Sequence, residues 1–343
     1  MTPNPFVPPG SESAPDAPLR ADDHDAWYIE SVAGHEERFT EFCDALDRSA
    51  EKHALFKRLP VNDIEAVRTH TAPALRRAGR LVVVEGPERS GKSTFINRCV
   101  RELERRCDGP VRLKPVYVNG ISLSSNDRQL LSAHQLRVRV CKHVLEEVPD
   151  LPNDILTRAN ANLDPGPDGS GGSPDVAYRI IRNHLNINVV LLVLLPPAPA
   201  DTDVDNLDVY HDWMGPGMIF FAERTITPSS PALPRRAAPP EAESTLVLSL
   251  RNLASEEAYR VVRKRLGPNP PAGLPDVEEE TLTEVEGLNR SDQNTIGWVV
   301  ALFRELYQRR IDRTSSPKYL RLPLISYEEI ADLLARRVNG EQP

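Results

Sequence analysis

One stretch of fourteen residues constrains this chain more than any other: Leu81-Val-Val-Val-Glu-Gly-Pro-Glu-Arg-Ser-Gly-Lys-Ser-Thr94. An apolar run, a glycine-bounded turn and an amphipathic segment follow one another directly, so a buried strand must hand over to a helix. Within it Gly86, Pro87, Glu88, Arg89, Ser90, Gly91, Lys92 and Ser93 satisfy G-x-x-x-x-G-K-[ST]. Glycines let the backbone fold around a phosphate with successive N–H groups turned inward, and the following helix adds the positive end of its dipole. In that chemistry Lys92 reaches the β- and γ-phosphates and the Ser93 hydroxyl takes Mg²⁺. These eight residues with Thr94 form the predicted nucleotide-binding set. A chance match is expected in roughly 2 of 1000 chains of this composition.

The remainder of the chain repeats the strand-then-helix alternation. Besides 81–85, near-continuous apolar runs at 115–119, 188–195, 218–223 and 245–250 read as strands buried on both faces of a sheet. Helical periodicity fills 94–107, 127–147, 175–185 and 255–266, and also 36–57 and 62–77 upstream. Beyond 276 only helices are predicted, at 276–286, 291–310 and 326–338, the last opened by Ser326 and Glu329 at capping-box spacing. Proline- and glycine-rich punctuation at 162–174, 196–201, 228–240 and 267–275 marks loops. The expected organisation is a disordered Pro-rich tail over 1–25, an α/β nucleotide-binding domain over 26–267 and a helical lid over 276–340.

Strand, phosphate loop, helix, four more strands and then a helical bundle is an order that resembles the AAA+ ATPases and their STAND relatives. The resemblance covers roughly residues 60 to 340. It implies a five-stranded parallel sheet sandwiched by helices, ATP with Mg²⁺ as ligands, and assembly with further copies or a protein partner. Gly287-Leu-Asn-Arg290 looks like the sensor 2 motif of the lid, which implies that Arg290 approaches the γ-phosphate. The departure lies on the third strand. Where the family carries a metal-holding carboxylate followed by a catalytic Glu, this chain has Leu195, Pro196 and Pro197, and the next acids are Asp201, Asp203 and Asp205. Glu223, at the end of the fourth strand, occupies the place of the family's polar sensor 1 residue and is the substitute carboxylate expected to orient water or bind the metal through water. Glu85 is the second choice. Gly34-His-Glu-Glu37 resembles the Gly-Arg-Glu box preceding many such cores, with His35 in place of Arg; no role is assigned to it.

Charge and cysteine usage exclude several other classes. Forty-two Lys+Arg against 50 Asp+Glu give a net charge of −8, which disfavours coating of nucleic acid without excluding a local contact. Arg263, Arg265, Arg235 and Arg236 are the basic candidates; the first two are read as complements to a helix dipole rather than as a finger into a neighbour. Cys43, Cys99, Cys107 and Cys141 show neither a C-x-x-C pair nor zinc spacing, and read as reduced thiols of a cytoplasmic protein. The longest apolar run, Val189 to Leu195, stops at Pro196-Pro197, short of the roughly 20 residues a membrane helix needs. His134 and His143 are wrongly spaced for a metal pair, and Trp298, Phe303 and Tyr307 read as lid core. The resulting expectation is an ATP-held conformational switch with weak or absent hydrolysis, using Lys92, Glu223 and Arg290. A small-molecule phosphotransferase and a nucleotide-stabilised scaffold are the rivals.

Overall fold

A computed structural model describes residues 6, 32–57, 68–77, 79–107, 111–118, 133–148, 151–164, 173–196, 207, 210, 213–227, 245–267, 275–288, 295–313 and 324–338. The elements are α1 (Ala33–Phe56), α2 (Thr71–Arg77), β1 (Arg80–Gly86), α3 (Lys92–Arg106), β2 (Arg112–Tyr117), α4 (Ala133–Glu147), α5 (Asn153–Ala161), α6 (Pro174–His184), β3 (Val189–Leu194), β4 (Met218–Thr225), β5 (Thr245–Ser249), α7 (Ser255–Leu266), α8 (Glu279–Leu288), α9 (Ile296–Arg313) and α10 (Tyr327–Val338). Contacts divide the chain into two compact units: Met1–Arg38 with Gly86–Arg98 and Leu250–Pro343, and Phe39–Glu85 with Cys99–Ser249. The boundaries at 1–25, 26–267 and 276–340 stand beside this division as a proposal.

The second unit is built on one sheet with strand order β2-β3-β4-β1-β5. β1 pairs in parallel with β5, and β3 in parallel with both β2 and β4. All six residues of β3 are buried, because this strand has neighbours on both edges and layers on both faces, which is what its unbroken run of Val and Leu demands. β2 contains Pro115; with no N–H to give, proline is tolerated on a sheet edge, and β2 is an edge. α4, α5 and α6 pack against one another, and Val140, Val144, Ala159, Ala177 and Ile181 join the strands in one apolar core. Tyr178 stacks on Trp213 at 4.2 Å between centroids, and the Trp213 indole N–H donates to the Asp175 carboxylate, satisfying a buried donor. From the other side, α1 contributes Phe42, 6.4 Å from Phe221.

In the first unit α7, α8, α9 and α10 pack around Val261, Val262, Leu302, Phe303, Tyr307, Ile330 and Leu333. Phe303 and Tyr307 are fully buried as expected, while Trp298 is half-buried against the same cluster. Phe6, within the segment expected to be disordered, is itself buried, with its ring 5.6 Å from Phe303 and 5.2 Å from Tyr307. The Tyr307 hydroxyl donates to the Pro275 carbonyl at 2.6 Å. The predicted cap forms: Ser326 Oγ accepts from the Glu329 N–H at 3.4 Å, and Glu329 Oε2 from the Ser326 N–H at 3.3 Å. No helix among the described residues is long and apolar enough to cross a membrane.

Candidate functional site

β1 ends on Gly86 and α3 begins on Lys92, so the predicted loop occupies the turn between them. The turn requires its glycines. A Cβ on Gly86 would stand 2.8 Å from Ser90 Oγ and 2.9 Å from the Leu250 carbonyl oxygen. Gly91 has φ +88°, a region side-chain-bearing residues avoid. Arg89 also takes φ 60°, and a non-glycine residue held there marks a loop whose shape is imposed by its surroundings. The Lys92 ammonium folds over this turn, donating to the Pro87 carbonyl at 2.7 Å and the Gly86 carbonyl at 3.3 Å. Glu88 and Arg89 are exposed, Ser93 and Thr94 half-buried. Ser93's carbonyl accepts from Asn97 Nδ2 at 2.9 Å. Ser90 is buried, and its hydroxyl has no hydrogen-bond partner; an orphaned polar atom inside a phosphate-type loop fits a polar ligand.

The loop is held from outside by residues to which the sequence alone assigns no role. His35, on the first turn of α1, is buried with its ring edge-on to Phe95, centroids 5.8 Å apart. Its Cε1 lies 3.3 Å from the position of a Cβ on Gly91. Burial lowers its pKa to about 4 against the smaller opposing effects of the Glu257 carboxylate and a hydrogen bond to the Ser90 backbone, so the ring is neutral near pH 7. Next to it, Glu36 grips Arg98 of α3 with both carboxylate oxygens, at 2.6 and 3.0 Å. At the head of α9, the Gly297 N–H donates to the Arg89 carbonyl at 2.8 Å. A Cβ on Gly297 would meet the Arg89 Cβ at 2.5 Å, so glycine permits the approach. Glu257 caps its own helix, accepting from the Ala254 N–H at 2.6 Å.

In the sheet unit, Glu223 is half-buried on β4, which runs to Thr225 rather than stopping at 223 as expected. Arg224 beside it is buried and donates to Glu85 Oε2 at 2.9 Å, while Ser249 Oγ donates to Glu85 Oε1 at 2.6 Å. Glu85 therefore ties the ends of β4, β1 and β5 together. Arg290, Asp201, Asp203 and Asp205 lie outside the described residues. Arg263 pairs with Asp276 inside its own unit, in keeping with its structural reading. His143 sits 3.5 Å from Glu146 and His134 is exposed; no cluster able to hold a metal through three or more His, Cys, Asp or Glu side chains occurs among the described residues. All four cysteines are free, and burial pushes the Cys107 thiol up to about 12 and that of Cys141 higher still. A thiol so shifted is unreactive at neutral pH.

No family model and no curated protein matches the sequence. Among solved structures, the chain is similar to the Aeropyrum pernix ORC1 protein in complex with DNA, at 14% identity and TM-score 0.50, over 92% of this chain and 67% of that one. It is also similar to Drosophila ORC bound to DNA, at 13% identity and TM-score 0.49, over 94% and 68%. A third similarity is to the E. coli MS115-1 HORMA:CdnC:Trip13 complex, at 14% identity and TM-score 0.41, over 95% and 93%. At these identities the likeness concerns fold, and the Aeropyrum pernix comparison carries it: the architecture is the α/β P-loop fold of AAA+ proteins.

Proposed function

We propose that this chain is an ATP-binding P-loop protein of AAA+/STAND type, working as a conformational switch with slow or absent hydrolysis. The observation that carries the reading is the turn at Gly86–Ser93, with φ positive at Arg89 and Gly91 and Lys92 folded over it. In this reading the N–H groups of the turn and the first turn of α3 hold the phosphates, Lys92 balances their charge, and the orphaned Ser90 hydroxyl gains a partner. Mg²⁺ would be held by the Ser93 hydroxyl together with nucleotide oxygens and water. Bound there, it would spread the negative charge that develops on the transferring phosphoryl group.

The missing acid at the end of β3 supports slow turnover. Leu195 and Pro196 offer no charge to a metal or to water, and lost electrostatic groups commonly lower rates by two or more orders of magnitude. Glu223 is the proposed carboxylate for any residual hydrolysis, and Arg290 the residue that couples nucleotide to the helical unit. The output is then mechanical: ATP shifts the protein only by the difference in its affinity for two arrangements. A second copy or a protein partner would read that shift, and cytoplasmic location fits the four free thiols.

Calorimetric titration of ATP·Mg²⁺, run beside phosphate release, tests the proposal. Lys92→Ala should weaken ATP by roughly a hundredfold, the loss of about 3 kcal/mol of charge-assisted bonding. Equal binding by wild type and Lys92→Ala would overturn the reading. Rapid turnover unaffected by Glu223→Gln would remove both the slow switch and the role given to Glu223.

A further inference from the structure

The peptide bonds are all trans among the described residues, and in a trans peptide the carbonyl of one residue and the N–H of the next point to opposite sides. Holding a loop carbonyl from outside therefore turns the following N–H inward. Two backbone groups of this loop are held from outside. The Arg89 carbonyl accepts from the Gly297 N–H at 2.8 Å, and the Ser90 backbone is hydrogen-bonded to the His35 ring. The N–H after Arg89, that of Ser90, is already directed at the Pro87 carbonyl at 3.3 Å. The Ser90–Gly91 peptide is left as the one whose amide direction His35 sets.

We propose that His35 is a positioning residue for the nucleotide, its ring holding the Ser90 carbonyl outward so that the Gly91 N–H faces the bound phosphate. This rests on the nucleotide-binding reading above. His35 is built for the task by its surroundings. Phe95 meets the ring edge-on, and Gly91 leaves room for Cε1 because it carries no side chain. The Glu36–Arg98 pair fixes the neighbouring backbone to the helix that the loop opens. A ring confined in this way loses little further freedom when the loop closes on a ligand, so the hydrogen bond acts as preorganisation. A packing role alone would need only volume. A hydrogen bond to the Ser90 backbone, which favours the protonated ring as an accepting carbonyl does, adds direction to that volume, and the difference can be measured.

Four proteins suffice: the full chain, Lys92→Ala, His35→Leu and His35→Asn, each titrated with ATP·Mg²⁺ and melted without nucleotide. Leucine keeps apolar bulk and removes the donor; asparagine restores a donor. His35→Leu should bind ATP roughly tenfold more weakly, the equivalent of one lost hydrogen bond, and His35→Asn should recover most of that loss. The two variants should melt within a few degrees of each other, so that affinity separates them where stability does not. Equal ATP affinity in the Leu and Asn variants would overturn the assignment of His35, whatever their melting temperatures. Should the wild type bind no ATP, or Lys92→Ala bind it equally, the underlying reading falls instead and the inference falls with it.

Discussion

The sheet and the phosphate loop are stabilised by different physics. In the sheet unit, β3 is buried from end to end and its neighbours contribute Phe220, Phe221, Tyr178 and Trp213, so order comes from many small dispersion contacts and from apolar area removed from water. Around the loop, by contrast, a few polar bonds fix the backbone: His35 to Ser90, Gly297 to Arg89, Lys92 to Pro87 and Glu36 to Arg98. Packing contacts are redundant and substitute for one another; directed hydrogen bonds do not. Fold and site should therefore respond separately to substitution, the sheet losing stability and the loop losing affinity.

The largest expected effect tests the first half of that contrast. Phe220 is fully buried, its ring 5.8 Å from both Tyr178 and Tyr210. Phe220→Ala should cost about 4 kcal/mol in denaturant unfolding through lost transfer energy and the cavity left behind. A loss under about 1 kcal/mol would show that packing does not dominate there. Next comes the polar exception within the sheet unit. Glu85→Ala takes the carboxylate away from the buried Arg224 guanidinium and should cost about 3 kcal/mol. Combining it with Arg224→Leu should recover most of that loss; if the double variant is worse than Glu85→Ala alone, the desolvation argument fails.

An effect of similar size should develop with acid. His35 titrates at about 4 in the folded protein against 6.5 ordinarily, so the unfolded chain binds the extra proton first. Its contribution is fully present above pH 6.5 and drains away as pH falls toward 4, the loss reaching about 3 kcal/mol at the low end. Carboxylates titrate in the same window, so the signal is the difference between wild type and His35→Asn. Stability curves that stay parallel from pH 7 to pH 4.5 would show that the buried imidazole carries no such linkage.

The legible parts of the molecule are those whose physics is local. The strand before the loop, the glycine spacing, Lys92 and the Ser326–Glu329 cap each declare themselves within a few residues. α5 does not, because nine residues with only Ile155 and Ala159 buried make too short a stripe for periodicity to register. Strand β2 is displaced toward Arg112 from the expected 115–119, since Pro115 reads as a boundary when it is in fact an edge-strand residue. His35 and Gly297 are harder still. Both lie far along the chain from Ser90, and only three-dimensional approach makes a helix-start histidine or a helix-start glycine part of a phosphate loop. Arg224 has the same origin, its meaning given by pairing with Glu85 across adjacent strands.

The smallest stability change is predicted for Gly297→Ala, and it is the most discriminating. Two terms oppose each other. Alanine is the better helix former by up to about 1 kcal/mol, while its Cβ would stand 2.5 Å from the Arg89 Cβ and 3.0 Å from the Arg89 carbonyl, driving the head of α9 away and losing a hydrogen bond of about 1 kcal/mol. Unfolding free energy should thus move by less than about 0.5 kcal/mol in either direction. The Arg89 carbonyl, released from outside, would nonetheless leave the loop less ordered, and ATP affinity should fall by several fold. A variant equal to wild type in both stability and affinity would mean that the head of α9 touches the loop without governing it, and the division of labour between packed sheet and bonded loop would then rest on the α1 side alone.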